Sequence, residues 1–190
     1  MSPADRSHEH RPPLVALSLV VLNLLVFLYE LSLGPGLARF IYSFGTIPTE
    51  IVTGRDTFPQ GPTPIYLTLV TGMFLHPGWA HLIGNMVFLW FVGSRMEGSI
   101  GAVRFLAFYL LGGAFAALIQ AALTPDSTVP SIGASGAVAA LLGGFLALHV
   151  GDSLRSKPRL PAIISLAAIS VILLLSLWAL IQLFAGIVAA

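Results

Sequence analysis

The chain contains no cysteine and very little charge: Asp, Glu, Lys and Arg make up 9% of its 190 residues. Without cysteine there is no disulfide framework and no thiolate metal site, and the redox compartment leaves no mark. So little charge excludes an ordinary soluble globule, about a quarter of whose residues are charged and coat its surface. The formal net charge is +1, with no basic run interleaved with aromatics, so nucleic acid is not an expected partner.

What is abundant is apolar: 56% of residues are hydrophobic and the mean hydropathy is +0.91. A helix crossing the hydrocarbon core needs about 20 mainly apolar residues. Leu14 to Leu33 qualifies, with Asn23 inside it and Glu30 near its end. A signal peptide is the competing reading, since Arg6 and Arg11 precede it. The apolar stretch is too long and lacks a small-residue cleavage site, which favours a retained anchor. Further spans are expected over 79–93, 103–123, 131–150 and 161–189, making five. The second is short and should extend to one side or the other. Between the first two spans, 34–78 is broken by Pro35, Pro48, Pro59, Pro62 and Pro64. It reads as a connection outside the membrane holding a short interfacial helix around Ile65 to Phe74.

The distribution of positive charge orients this array. Segments 1–13, 94–104 and 151–160 hold seven Lys and Arg residues, against two, Arg39 and Arg55, in 34–78 and 124–130. Residues 1–13 therefore read as a cytoplasmic tail and 34–78 as extracytoplasmic. His81, Asn85 and Ser135 then all fall near the outer ends of their helices.

Those polar residues are the candidates for chemistry. His81 and Asn85 are four apart and share one helical face. A single interfacial histidine more often anchors a helix end, but polar groups inside a bilayer are rare and tend to line functional cavities. Asn85 can donate two hydrogens to a developing oxyanion, and an imidazole can add another. Ser135 alone would be a packing residue, because Gly136, Ala140 and Gly144 form a small-residue stripe that admits a close neighbour. The Gly133-Ala134-Ser135-Gly136-Ala137 run is not the nucleophile elbow of α/β-hydrolases, since glycine directly follows the serine and no strand precedes it. The helix-start position of Ser135, combined with the distant His81/Asn85 pair, raises it above packing.

Taken together and in order, His76, His81-x-x-x-Asn85, Gly93-x-x-x-Glu97-x-x-x-Gly101 and Gly133-Ala134-Ser135-Gly136 resemble the rhomboid family of intramembrane serine proteases. The resemblance covers about residues 14 to 190. It implies an all-α, polytopic transmembrane helix bundle with five of the family's six core helices, in a cell membrane, with the N-terminus cytoplasmic. It implies cleavage of transmembrane protein substrates in the lipid bilayer, without metal or cofactor. By resemblance Ser135 is the nucleophile; His81, Asn85 and the Ser135 amide form the oxyanion hole. Gly133 shapes the wall beside it, His76 is a cavity residue, and the Gly93/Glu97/Gly101 set is structural. Water would reach Ser135 through a polar cavity lined by His81 and Asn85.

The match departs from the family in two places. The usual Trp-Arg pair of the first connection has no equivalent around Tyr66-Leu67. More seriously, the family's general base is a histidine on a sixth helix, and the five histidines here are His8, His10, His76, His81 and His149. His8 and His10 lie in the tail on the wrong side. His149 is fourteen residues after Ser135 on the same helix, about 21 Å away, whereas a base must come within about 3 Å. The general-base histidine is thus absent from these residues, which reads as truncation, with the missing helix as the expected partner of the Gly136/Ala140/Gly144 stripe. The rival readings are a rhomboid-like protein that binds membrane helices without cleaving them and, more distantly, a transporter. Against the transporter, the intramembrane polar residues Asn23, Gln120 and Gln182 are scattered and show no inverted repeat.

Overall fold

The computed structural model describes residues 12–57, 61, 62 and 64–155. The expected span 161–189 lies outside the described residues, as does most of the 1–13 tail. Within them the chain is all helical, apart from one isolated antiparallel bridge between Thr46 and Ser131. Helix α1 spans Leu14–Ser32. The connection then folds as three short helices: α2, Leu37–Phe44; α3, Pro48–Thr53; and α4, Ile65–Phe74, an α-helical turn flanked by 3₁₀ turns. Only α4 was expected from the sequence. The apolar residues Ile65, Leu69 and Met73 of α4 are buried while Tyr66 and Leu67 are exposed.

The second core helix, α5, runs over 79–100 and not 79–93. It is α-helical over Trp79–Phe88, widens to a π-helical stretch over Leu89–Gly93 and resumes over Ser94–Ile100. The polar Ser94, Arg95 and Ser99 hide its continuation in the sequence. Each bonds a carbonyl four residues back and thereby travels with the helix, with Arg95 Nη1 2.6 Å from the Phe91 oxygen. Gly101 then turns the chain at φ +85°, a left-handed conformation that favours glycine, and α6 follows over Ala102–Leu123. The last described helix, α7, is Ser135–Arg155.

Helices α6 and α7 pack antiparallel along small residues. A Cβ on Gly136 would lie 2.7 Å from that of Ala116; one on Gly112 would lie 2.5 Å from that of Ala140; one on Gly144 would lie 2.8 Å from Cζ of Phe108. The Gly136/Ala140/Gly144 stripe therefore has its close neighbour in α6, not in a sixth helix as the sequence suggested. Small side chains let two backbones approach, which is how helices associate where solvent is apolar.

Helix α1 lies antiparallel to α5, clamped at both ends. At its start the Glu97 carboxyl accepts from the amides of Val15 (3.1 Å) and Ala16 (2.8 Å), satisfying donors that a first helical turn leaves open. At its finish, Phe27 meets Trp79 edge to face at 4.9 Å, and Glu30 reaches the start of α5. The core between these helices is filled by Leu82, Leu89, Phe105, Tyr109 and Leu141, each fully buried. Outward, the helices expose Leu25, Leu28, Ile83, Phe91, Val103, Leu111 and Phe115. An apolar exterior on this scale suits lipid and not water. Two helices, Leu14–Ser32 and Ala102–Leu123, are long and apolar enough on their own to cross a membrane.

Candidate active site

Four helix termini gather at one end of the bundle: the end of α1, the starts of α5 and α7, and the end of α6. The starts of α5 and α7 carry the polar motif residues. Pro77 and Gly78 interrupt helix formation, so α5 begins at Trp79 and sets His81 in its first turn, with Asn85 one turn deeper. The fit of α7 is controlled by the preceding loop. Thr46 and Ser131 exchange backbone hydrogen bonds of 3.0 and 2.8 Å, and the Gly133 amide donates to the Gly72 carbonyl at 2.8 Å. Together these straps fix the chain two residues before Ser135. As the first residue of α7, Ser135 presents its own backbone N–H at a helix start, where amides lack intrahelical partners.

Gly133 is the joint between the two helix starts. It has φ +114°, and a Cβ placed there would lie 2.8 Å from His81 Nε2. Glycine is required on both counts, by backbone conformation and by the imidazole against it. His81 Nε2 is buried and forms no hydrogen bond among the described residues. Buried polar atoms are nearly always bonded, so an atom without a partner among the described residues, set against Gly133 two residues before Ser135, is a place where a polar group fits.

Behind His81 the polar contacts continue. The His81 and His76 rings meet edge to face with centroids 5.7 Å apart. His76 is buried, with Nδ1 3.3 Å from the Phe74 carbonyl and Nε2 3.2 Å from Asn85 Nδ2. Burial pushes the His76 imidazole down to about 4, helped by the neighbouring His81 and opposed by the Phe74 carbonyl. It is therefore neutral at pH 7. Asn85 is itself 1% exposed.

The structure thus brings His76, His81, Asn85 and Gly133 into one cluster, with Ser135 two residues along the chain. Ser135 also borders a cavity of about 270 Å³, lined by Thr46, Gly72, Gln120, Ser131, Gly133 and Gly136 among others. His81 and Asn85 are not among the residues lining this cavity. Gln120, Thr46 and Glu30 were not singled out for the site by sequence, because each sits on an element whose pairing with α5 or α7 is invisible along the chain. The described residues hold no group of three His, Asp or Glu side chains able to bind a metal ion.

The chain matches the Rhomboid domain family over residues 64–190, and it belongs to that family. It is 32% identical over 136 residues to Rhomboid protease GluP of Bacillus subtilis strain 168, covering 72% of this chain and 24% of that one. It is 46% identical over 78 residues to RHOMBOID-like protein 4 of Arabidopsis thaliana, covering 41% of this chain and 19% of that one. With Rhomboid-related protein 3 of Homo sapiens it shares 32% identity over 136 residues, 72% of this chain and 32% of that one. The chain thus spans less than a third of the length of these curated relatives. No solved structure is similar enough to count as a match.

Proposed function

We propose that the protein is an intramembrane serine endopeptidase that cleaves transmembrane protein substrates. The observation that carries this reading is the buried His81 Nε2, unbonded among the described residues and packed against Gly133, two residues from Ser135. In this reading the Ser135 hydroxyl attacks the scissile carbonyl. The oxygen that becomes negative is met by the Ser135 amide, the Asn85 side-chain amide and His81. Donors fixed before the reaction stabilise that charge most where water is excluded. Ser135 still needs a base to take its proton, and none of the five histidines of these residues is suited. The base comes from a further helix. Ser135, Ala139 and Gly143 share one face of α7, the face from which such a base would have to reach the serine.

Treatment with a serine-directed fluorophosphonate tests this. The 190-residue chain alone should remain unlabelled, the chain joined to a histidine-bearing sixth rhomboid helix should label, and Ser135→Ala should abolish the signal. Labelling of the 190-residue chain would remove the argument for an external base. An extended chain that stays unlabelled would favour the second reading, a membrane-helix binding protein, for which the lack of a base is the supporting observation.

The charge asymmetry supports a cytoplasmic N-terminus in a multi-pass cell-membrane protein, with the site at the outer face. Cysteine accessibility labelling should find position 56 outside and position 157 in the cytoplasm. The reverse pattern would place the site on the wrong side for this proposal.

A further inference from the structure

The proposed reaction leaves one buried carboxyl group near the site without a part: Glu30, 2% exposed, at the end of α1. Its oxygens lie 3.3 and 3.2 Å from the backbone amide of His76, 46 residues away in sequence. That amide belongs to a buried, non-helical residue between Leu75 and Pro77, so no helical carbonyl takes it, and a buried N–H without an acceptor is costly.

The contacts beyond it run in one direction. A carbonyl oxygen can only accept, so the 3.3 Å contact to Phe74 assigns the His76 proton to Nδ1. Nε2 then carries a lone pair, and Asn85 Nδ2, 3.2 Å away, donates to it. This uses one of the two hydrogens of the Asn85 amide and fixes which way the amide faces. The second hydrogen is thereby oriented too.

We propose that Glu30 is a positioning residue of the oxyanion hole: it anchors His76, and His76 holds the Asn85 amide in its donating orientation. This rests on the protease reading above. Phe27 and Trp79 also join α1 to α5 there, so Glu30 is not the sole contact between the two helices at this end. A glutamate within an apolar span is otherwise expensive and needs a reason to be kept.

The test is a double-mutant cycle on turnover, with the chain carrying the sixth helix, and an exchange measurement on the 190-residue chain. Glu30→Ala should lower kcat about tenfold with KM within about twofold, whereas Glu30→Gln, which keeps an acceptor oxygen, should stay within about threefold. In the Asn85→Ala background, Glu30→Ala should have almost no further effect, because residues acting through one contact are not additive. If Glu30→Ala does not fold, Glu30→Leu keeps the volume and removes the acceptor, and the same outcome is expected. In the 190-residue chain, Glu30→Leu should speed hydrogen exchange of the Asn85 side-chain amide. An unchanged exchange rate, or losses that add in the cycle, would overturn the positioning role while leaving the protease reading intact. A silent Asn85→Ala would overturn the oxyanion assignment itself, and the role of Glu30 with it.

Discussion

The two ends of α1 each meet a buried glutamate, and the two glutamates are used differently. At the start of α1, Glu97 gives each of its two oxygens an amide of its own, at 3.1 and 2.8 Å. The contact ends there, and the helix start is closed. At the other end, both oxygens of Glu30 share the single amide of His76 at longer range, and the polar contacts pass on through the imidazole to Asn85. The same side chain therefore closes one end of the bundle and supports an open polar cluster at the other. Satisfied groups hold a fold, whereas a buried group such as His81 Nε2, without a hydrogen bond among the described residues, keeps capacity for a further polar partner.

The largest expected effect separates the two ends by turnover. In the chain carrying the sixth helix, Asn85→Ala should slow cleavage about a hundredfold per folded molecule, as loss of one oxyanion donor typically does, in addition to the stability lost when the buried His76 Nε2 loses its donor. His81→Ala should cost a comparable amount. Normal turnover in both variants would break the comparison at the site end.

Glu97→Ala should cost stability and spare turnover. It leaves the amides of Val15 and Ala16 without acceptors, which should lower stability by about 2–3 kcal/mol. Turnover per folded molecule should stay within about twofold. Denaturant titration in detergent together with kcat measurement separates these, and a large loss of kcat at unchanged stability would show that this end is not merely a clamp.

How much of this was legible in the sequence follows from the reach of each signal. Hydropathy marks α1, α6 and α7 because each carries an uninterrupted apolar run. It shortened α5 because Ser94, Arg95 and Ser99 look like a loop until their hydrogen bonds to their own helix are seen. The His81/Asn85 pair was readable because four-residue spacing defines a helical face, and Gly133 beside Ser135 because both lie in one short motif. What could not be read was pairing at long range. Glu97 meets residues 81 and 82 positions away, and the small-residue stripe of α7 fits α6 as well on paper as any other helix. Gln120 looked like a stray polar residue because nothing along the chain shows that the end of α6 faces the start of α7.

The smallest expected effect concerns pH, and it sharpens the contrast because it acts at the site end. His76 is held at about 4 by burial, below the ordinary 6.5, with the Glu30 carboxyl on its amide and the His81 ring 5.7 Å away. Between those values the unfolded chain binds a proton that the folded chain refuses. The contribution of His76 to stability then rises with pH from about 4 to 6.5, is complete above that, and is lost as pH falls through this window. Protonation would also turn Nε2 from acceptor to donor and set it against the Asn85 amide. Thermal denaturation across this range should therefore show a slope that flattens in His76→Gln, which cannot titrate but still offers Asn85 a carbonyl oxygen. Glu97→Gln should leave the slope attributable to His76 unchanged, since Glu97 sits at the far end of α1. If His76→Gln retains the full slope, another group sets the acid sensitivity, and the neutral imidazole is not what holds Asn85 in place.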